Sequence, residues 1–354
     1  MRWLANPHRD PALRPGDDDA PLRFHRSLDG YAPSPLVDAP QLAGEWGVGR
    51  VLLKFERERF GLPAFKFLGA SWAARRLLGE PPYDPDLELV AATDGNHGRA
   101  VARVARLAGL GATILVPAGT AAARIDAIAG EGARVEVVDG TYDDAVRRSA
   151  TLASPRRLVL SDTSWPGYED VPRWVIEGYA TIFREVDEQT GGARVDLAVI
   201  PIGVGALAAA AVRHLGAGAT LAGVEPESAA CVLESIAAGK IVEVPGPHTS
   251  IMAGLNAGLP SLVAWPAMRD GFDVLCAVTD DVAEAGMRRL AALGLEAGEV
   301  SGGTAGATGA LLADPGARAA LRAGPETSVL LVLTEGVTDP ANYARIVGGG
   351  AESG

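Results

Sequence analysis

Short runs of consecutive apolar residues alternate along this chain with longer stretches in which apolar positions recur every three or four residues. LVAAT (89–93), ATILVP (112–117), RVEVVD (134–139) and RLVLSD (157–162) read as strands. RAVARVARLAG, TAAARIDAIAGEG and YDDAVRRSATLA, which separate them, have the spacing of amphipathic helices. The pattern resumes with DLAVIPI (196–202), the helix ALAAAAVRHL, the strand TLAGVEPE and, much later, SVLLVLTEG (328–336). Apolar strands separated by amphipathic helices predict parallel sheets covered on both faces, so the fold class is α/β. The segment 164–190 reads as mainly helical and offers a hinge between two such units. Residues 1–20 read as a loose arm and the glycine-rich end, 348–354, as a frayed tail.

Composition narrows the function. A length of 354 residues suggests two domains, or one large one, with ample core. With 48% hydrophobic and 21% charged residues the chain packs rather than remaining disordered. A net charge of -12 argues against nucleic acid or an anionic membrane as partner, although backbone N–H groups at a helix end can still hold a phosphate. Two cysteines, Cys231 and Cys276, exclude a disulfide framework, and the scattered histidines lack metal-ligand spacing, so no metal is expected. The first twenty residues have no apolar core of a signal peptide. The longest uncharged run, 197–212, is too short to span a membrane and is broken by Pro201, Gly203 and Gly205. A soluble cytoplasmic protein is expected.

Four stretches carry candidate chemistry. In GLPAFKFLGASWAA (61–74) Lys66 lies between aromatic and small residues at the entrance to a helix. Apolar surroundings turn a lysine into a nucleophile toward aldehydes, while a snorkelling lysine is the alternative. Lysine occurs only at 54, 66 and 240, and 29 of the 32 basic residues are Arg, which cannot form a Schiff base. In ATDGNHGRAVA (92–102) a strand ends in a loop that presents N–H groups to an anion such as a carboxylate. A plain turn capped by Asp94 reads equally well. VIPIGVGALAAAA (199–211) is a strand, a glycine loop and a helix start suited to phosphate. GVGALA also fits G-x-G-x-x-A, with Glu225 about twenty residues on, so a dinucleotide and an NAD-dependent oxidoreductase remain open, as does a packing turn. SDTSWPGYEDVPRWVIEGY (161–179) gathers Asp162, Trp165 and Tyr168 at a strand end, as a substrate pocket or as an aromatic hinge.

In this order, the stretches resemble the pyridoxal phosphate enzymes of the tryptophan-synthase β-subunit fold (fold type II), and within them the diaminopropionate ammonia-lyase family. RFGLPAFKFLGAS, TDGNHGR, DTSWPGYEDVPRWVIEGY, IGVGALA, SIMAGLNAG, TEGVTDPANY and the opening FHRSLDGYAPSPL (24–36) carry the likeness, over roughly residues 24 to 347. The resemblance implies two domains, each a mainly parallel sheet flanked by helices, with the cofactor at their interface. Residues 21–75 and 190–347 would form the large domain and 76–189 a smaller, mobile one. It implies pyridoxal 5'-phosphate on Lys66, with Phe65, Asn96, Gly203, Val204, Gly205 and Ala206 around it and Thr304 or Thr334 facing the pyridine nitrogen. Thr93, Asp94, Gly95, His97, Trp165 and Tyr168 would contact a small amino-acid substrate, and Lys66, Asp94 and Asp162 would move protons in a homodimer. The chain departs from the family pattern at Phe55, where an acidic residue usually follows the lysine, and in its short length.

The implied reaction is α,β-elimination of ammonia from 2,3-diaminopropionate, giving pyruvate and ammonia. Relatives that dehydrate serine or threonine usually carry Ser where this chain has Asp94. A carboxylate there can pair with a β-ammonium, and its acid form can protonate a departing amine. Beside Trp165 and Tyr168, partial burial would raise the pKa of Asp162 toward working pH. The alternatives are another pyridoxal phosphate lyase, dehydratase or β-replacement enzyme, and the oxidoreductase.

Overall fold

The computed structural model describes residues 1–16, 18–93 and 95–348. Its strands are β1 (Arg2–Ala5), β2 (Leu36–Asp38), β3 (Arg50–Phe55), β4 (Glu88–Ala92), β5 (Gly111–Pro117), β6 (Arg134–Val138), β7 (Arg157–Val159), β8 (Leu197–Pro201), β9 (Thr220–Pro226), β10 (Val274–Val278) and β11 (Ser328–Leu333). They form two sheets. The larger has the order β1-β10-β9-β8-β11-β3-β2, parallel except for its two edge strands, and the smaller has the order β6-β5-β4-β7, parallel throughout. The smaller sheet draws only on the middle of the chain, and the larger on the segments before and after it. β8, β9 and β10 are buried at every position, which only strands covered on both faces require, and which their unbroken apolar runs supply.

The N-terminal arm is a correction. Arg2–Ala5 is an edge strand paired antiparallel with β10, and the Asn6 side chain donates to the carbonyls of Arg269 and Phe272, each at 2.7 Å. The partners of these residues are remote in the chain, so a local pattern of Arg, Asp and Pro gave no sign of them; Asp17, also in the arm, lies outside the described residues. At the other end Gly348 closes the helix Pro340–Gly348, and the rest of the expected tail, 349–354, lies outside the described residues. Among the described residues no helix is long and apolar enough to cross a membrane.

The segment expected as a hinge contains the helix Asp170–Gln189, whose Val175, Tyr179, Ile182, Phe183 and Val186 are buried in the main core. It packs against the helix Lys66–Leu78 through two glycines. A Cβ on Gly69 would lie 2.5 Å from the Tyr179 ring, and one on Gly178 2.5 Å from the Leu68 carbonyl oxygen. Only glycine allows backbones this close, and the close approach fixes where the helix presents Lys66, its first residue. A buried ion cluster braces the same helix: Glu185 accepts from Lys54 at 2.6 Å and from Arg59 at 2.7 and 2.8 Å, and Arg59 also reaches Glu56. The carboxylate that joins this cluster beside Lys54 thus comes from Glu56, one place beyond Phe55. Gly178→Ala is expected to push the two helices apart and cost about 1–3 kcal/mol, read as a lower urea midpoint. An unchanged midpoint would show that the contact has slack.

Candidate active site

A cleft opens where the C-terminal ends of strands from both sheets face each other. Pro201 ends β8, Thr93 follows β4 and Thr334 follows β11, and all three line it. In parallel α/β sheets this is where ligands bind, because the loops there are free to carry function while the strands hold them rigid. Phe65, Lys66, Gly95, Asn96, His97, Asp162, Gly203, Val204, Gly205 and Ala206 also line the cleft. Most of the residues singled out in the sequence are therefore brought together. Asp94 lies outside the described residues.

The three lysines separate cleanly. Lys54 is fully buried in the Glu185 cluster, Lys240 is exposed on a turn, and only Lys66 lines the cleft. Its environment is half of what the sequence suggested. Its Nζ lies 5.3 Å from the centre of the Phe65 ring and 6.0 Å from that of Tyr179, but it also donates to Asp162 Oδ2 at 2.6 Å. The Tyr142 hydroxyl donates to the other oxygen, Oδ1, at 3.1 Å. His97 donates from Nε2 to the Leu160 carbonyl at 2.9 Å, leaving Nδ1 buried without a hydrogen-bond partner, 3.8 Å from Asp162 Oδ2. Burial pushes the His97 ring below its ordinary pKa, so it sits neutral beside the ion pair.

Asp162 corrects an expectation. Burial by itself would raise its carboxyl, but the His97 ring once it protonates at low pH, the Lys66 ammonium and the Tyr142 hydroxyl together outweigh burial and hold it well below the usual carboxylate range. The sequence showed the aromatic neighbours and not the cation, which arrives from the other sheet.

The glycine loop leads into the helix Ala206–Leu215, whose first-turn N–H groups have no partners within the helix and receive no side-chain cap. Gly205 has φ of +102°, and a Cβ there would lie 2.3 Å from Met268 Sδ; at Gly203 a Cβ would lie 2.9 Å from the Gly254 carbonyl oxygen. Both positions demand glycine, so the loop offers backbone donors, an arrangement that suits an anion. Glu225, the acidic residue of the dinucleotide reading, does not face this loop's ligand side. It is fully buried and accepts from Val232 N and Leu233 N at 2.7 and 2.8 Å, capping the next helix, Cys231–Ala238. Its carboxylate is already spent on those N–H groups, which removes the partner a ribose would need.

Three residues fall elsewhere. Thr304 is buried in the helix Glu299–Ala313, donating to the Val300 carbonyl at 2.9 Å, so Thr334 is the threonine at the cleft. Trp165 and Tyr168 lie outside the lining; their rings stack on each other, centroids 4.2 Å apart, and the Tyr168 hydroxyl donates to the Val159 carbonyl at 2.7 Å. They form the aromatic brace that was the alternative reading. Sequence reasoning missed Arg124, Tyr142 and Glu335, which also line the cleft. Glu335 stands inside the TEG run that was read only for Thr334. Tyr142 and Arg124 sit in ordinary helical patterns that carry no mark of function. Among the described residues no group of three or more His, Cys, Asp or Glu side chains is placed to hold a metal ion.

A family model of pyridoxal-phosphate dependent enzymes matches residues 28–335. The chain is 35% identical over 362 residues to the diaminopropionate ammonia-lyase of Escherichia coli (strain K12), covering 92% of this chain and 89% of that one. Its fold matches the crystal structure of the Escherichia coli diaminopropionate ammonia lyase in complex with an aminoacrylate-PLP azomethine reaction intermediate, with a TM-score of 0.91 and 32% identity over 99% of this chain and 97% of that one. The same enzyme in complex with D-serine matches with a TM-score of 0.91 and 31% identity, again over 99% and 97%.

The depressed pKa of Asp162 has a consequence for stability. A carboxyl whose folded pKa lies below its unfolded value of 3.8 contributes stability above that pH and loses it as the pH falls further. In the chain without added ligands, the wild-type urea midpoint should therefore fall steeply below about pH 4. Asp162→Asn should start lower, because it removes the carboxylate to which Lys66 donates, and should then fall less. Equal slopes for the two proteins would contradict the assignment.

Proposed function

The chain belongs to the pyridoxal-phosphate dependent enzymes and, within them, to the diaminopropionate ammonia-lyase family, and on that premise we propose that it eliminates ammonia from 2,3-diaminopropionate to give pyruvate and ammonia. The observation that carries this reading is that the one lysine of the cleft shares it with a glycine-only loop at a helix start. The residues present fit pyridoxal phosphate. Lys66 offers the amine for its aldehyde, the N–H groups of Gly203, Val204, Gly205 and Ala206 suit its phosphate, the Asn96 amide suits its ring hydroxyl, and Thr334 suits its pyridine nitrogen. When bound, the cofactor takes up the electron pair left on Cα of the substrate.

The chain's own residues then handle binding and protons. Once its amine is engaged and released again, Lys66 Nζ is a base on one face of the substrate. Asp162, which the Tyr142 hydroxyl holds by Oδ1, is the base for the opposite face and so for the other enantiomer. Gly95 and His97 line the side of the cleft where a substrate carboxylate fits the asparagine loop. For Asp94, which follows Thr93 in the sequence, the role is that of partner to the β-ammonium, its acid form protonating a departing amine. We assign the working form to the cytoplasm as a homodimer, in keeping with two buried free cysteines. Light scattering on the purified protein measures the assembly.

Borohydride reduction in the presence of pyridoxal phosphate should fix the cofactor to the peptide containing Lys66, and Lys66→Arg should abolish both labelling and release of pyruvate from diaminopropionate. Label on Lys54 or Lys240 would sink the assignment. Asp162→Asn should slow one enantiomer of diaminopropionate by roughly a hundred- to ten-thousandfold and the other far less. Equal slowing of both would mean that Asp162 supports Lys66 rather than acting as a second base.

A further inference from the structure

The cleft is closed by contacts that run from one sheet to the other, and one of them involves a carboxyl with no role so far. Asn96 opens the helix Asn96–Ala108 after β4 of the smaller sheet, and Glu335 follows β11 of the larger one. Asn96 Nδ2 donates to Glu335 Oε2 at 2.5 Å, and Val300 N donates to Oε1 at 3.3 Å. The Glu335 main chain is itself clamped by Ser301, whose hydroxyl accepts from its N–H at 3.2 Å and donates to its carbonyl at 2.8 Å. Behind it sits a second buried carboxyl, Glu299, which accepts from Asn342 Nδ2 at 2.7 Å and lies 3.8 Å from the Arg124 guanidinium. Val300 and Ser301, at the start of the helix Glu299–Ala313, therefore hold one carboxyl against the Asn96 amide.

We propose that Glu335 is a positioning residue that fixes the Asn96 amide for the cofactor ring, with Glu299 and Arg124 setting its surroundings. This rests on the pyridoxal phosphate reading above. An amide NH2 has two donors, and with one given to Glu335 the remaining N–H is held in a set direction rather than sweeping with side-chain rotation. Without the clasp Asn96 is a half-buried side chain at a helix start, free to turn. Burial, and then the neighbouring Glu299, push the Glu335 carboxyl above its ordinary range. A neutral carboxyl can hold the amide as well as an ionised one, because either can accept from Nδ2.

The test is a titration of the cofactor-free protein with pyridoxal phosphate, reading the dissociation constant and the position of the visible absorbance band. Asn96→Ala and Glu335→Leu should each weaken binding by about tenfold and move the band in the same direction, the size expected for one buried hydrogen bond. The isosteric Glu335→Gln keeps a partner for the amide and should stay within about threefold of wild type. The double variant should be no worse than Asn96→Ala alone, since the two residues act through one contact. Should the leucine variant not fold, Glu335→Asp asks the same question by drawing the carboxyl one methylene back from Asn96, with the same loss expected. Wild-type affinity and band in Glu335→Leu or Glu335→Asp, or losses that multiply in the double variant, would overturn the proposal. A wild-type chain that takes up no cofactor would overturn the proposed function instead.

Discussion

Lys66 meets Asp162, contributed by a different sheet, at 2.6 Å across the cleft. An unpaired ammonium buried against Phe65 and Tyr179 would cost several kcal/mol, and an unpaired carboxylate as much. The pair therefore sets how the two sheets sit across the cleft, and other features serve it. Gly69 and Gly178 let two helices touch so that Lys66 is delivered at the right height. Tyr142 fixes the far oxygen of Asp162, and neutral His97 fills the remaining side without competing for the proton. A reaction that left the Lys66 nitrogen uncharged would also remove a cation that helps hold Asp162 ionised, and so would ease proton uptake by that carboxylate.

A similar economy governs the anion side. Gly203 and Gly205 admit no side chain, so specificity there comes from backbone direction and the start of one helix. The dinucleotide reading shares that loop and fails for a separate reason. Its acidic residue, Glu225, satisfies the N–H groups of Val232 and Leu233 and has nothing left for a ribose. A phosphate loop without a ribose partner, sharing a cleft with an amine, fits a small phosphorylated aldehyde.

What the sequence revealed and what it hid divide along range of interaction. Unbroken apolar runs such as LAVIP and VLLVL can only be strands covered on both faces, so the α/β class was legible without partners. Lys66 stood out because Arg supplies nearly all other positive charge. Contacts between remote segments were invisible. Arg2–Ala5 becomes a strand only because β10 offers an edge, and Asp162 is held acidic by side chains such as Lys66 and Tyr142 that reach it from elsewhere in the chain. Glu335 passed as part of the SVLLVLTEG run until Asn96 met it from the other sheet. Trp165 and Tyr168 misled for the opposite reason: they are close in sequence and satisfy each other locally.

The central claim is that this cleft holds pyridoxal phosphate between Lys66 and the glycine loop. A crystal structure of the protein grown with the cofactor tests it most directly. The account predicts continuous density from Lys66 Nζ to the cofactor, the phosphate against the N–H groups of residues 203–206, and the ring beside Asn96. Density for the cofactor at another lysine, or a phosphate bound away from that loop with Lys66 still paired to Asp162, would contradict it.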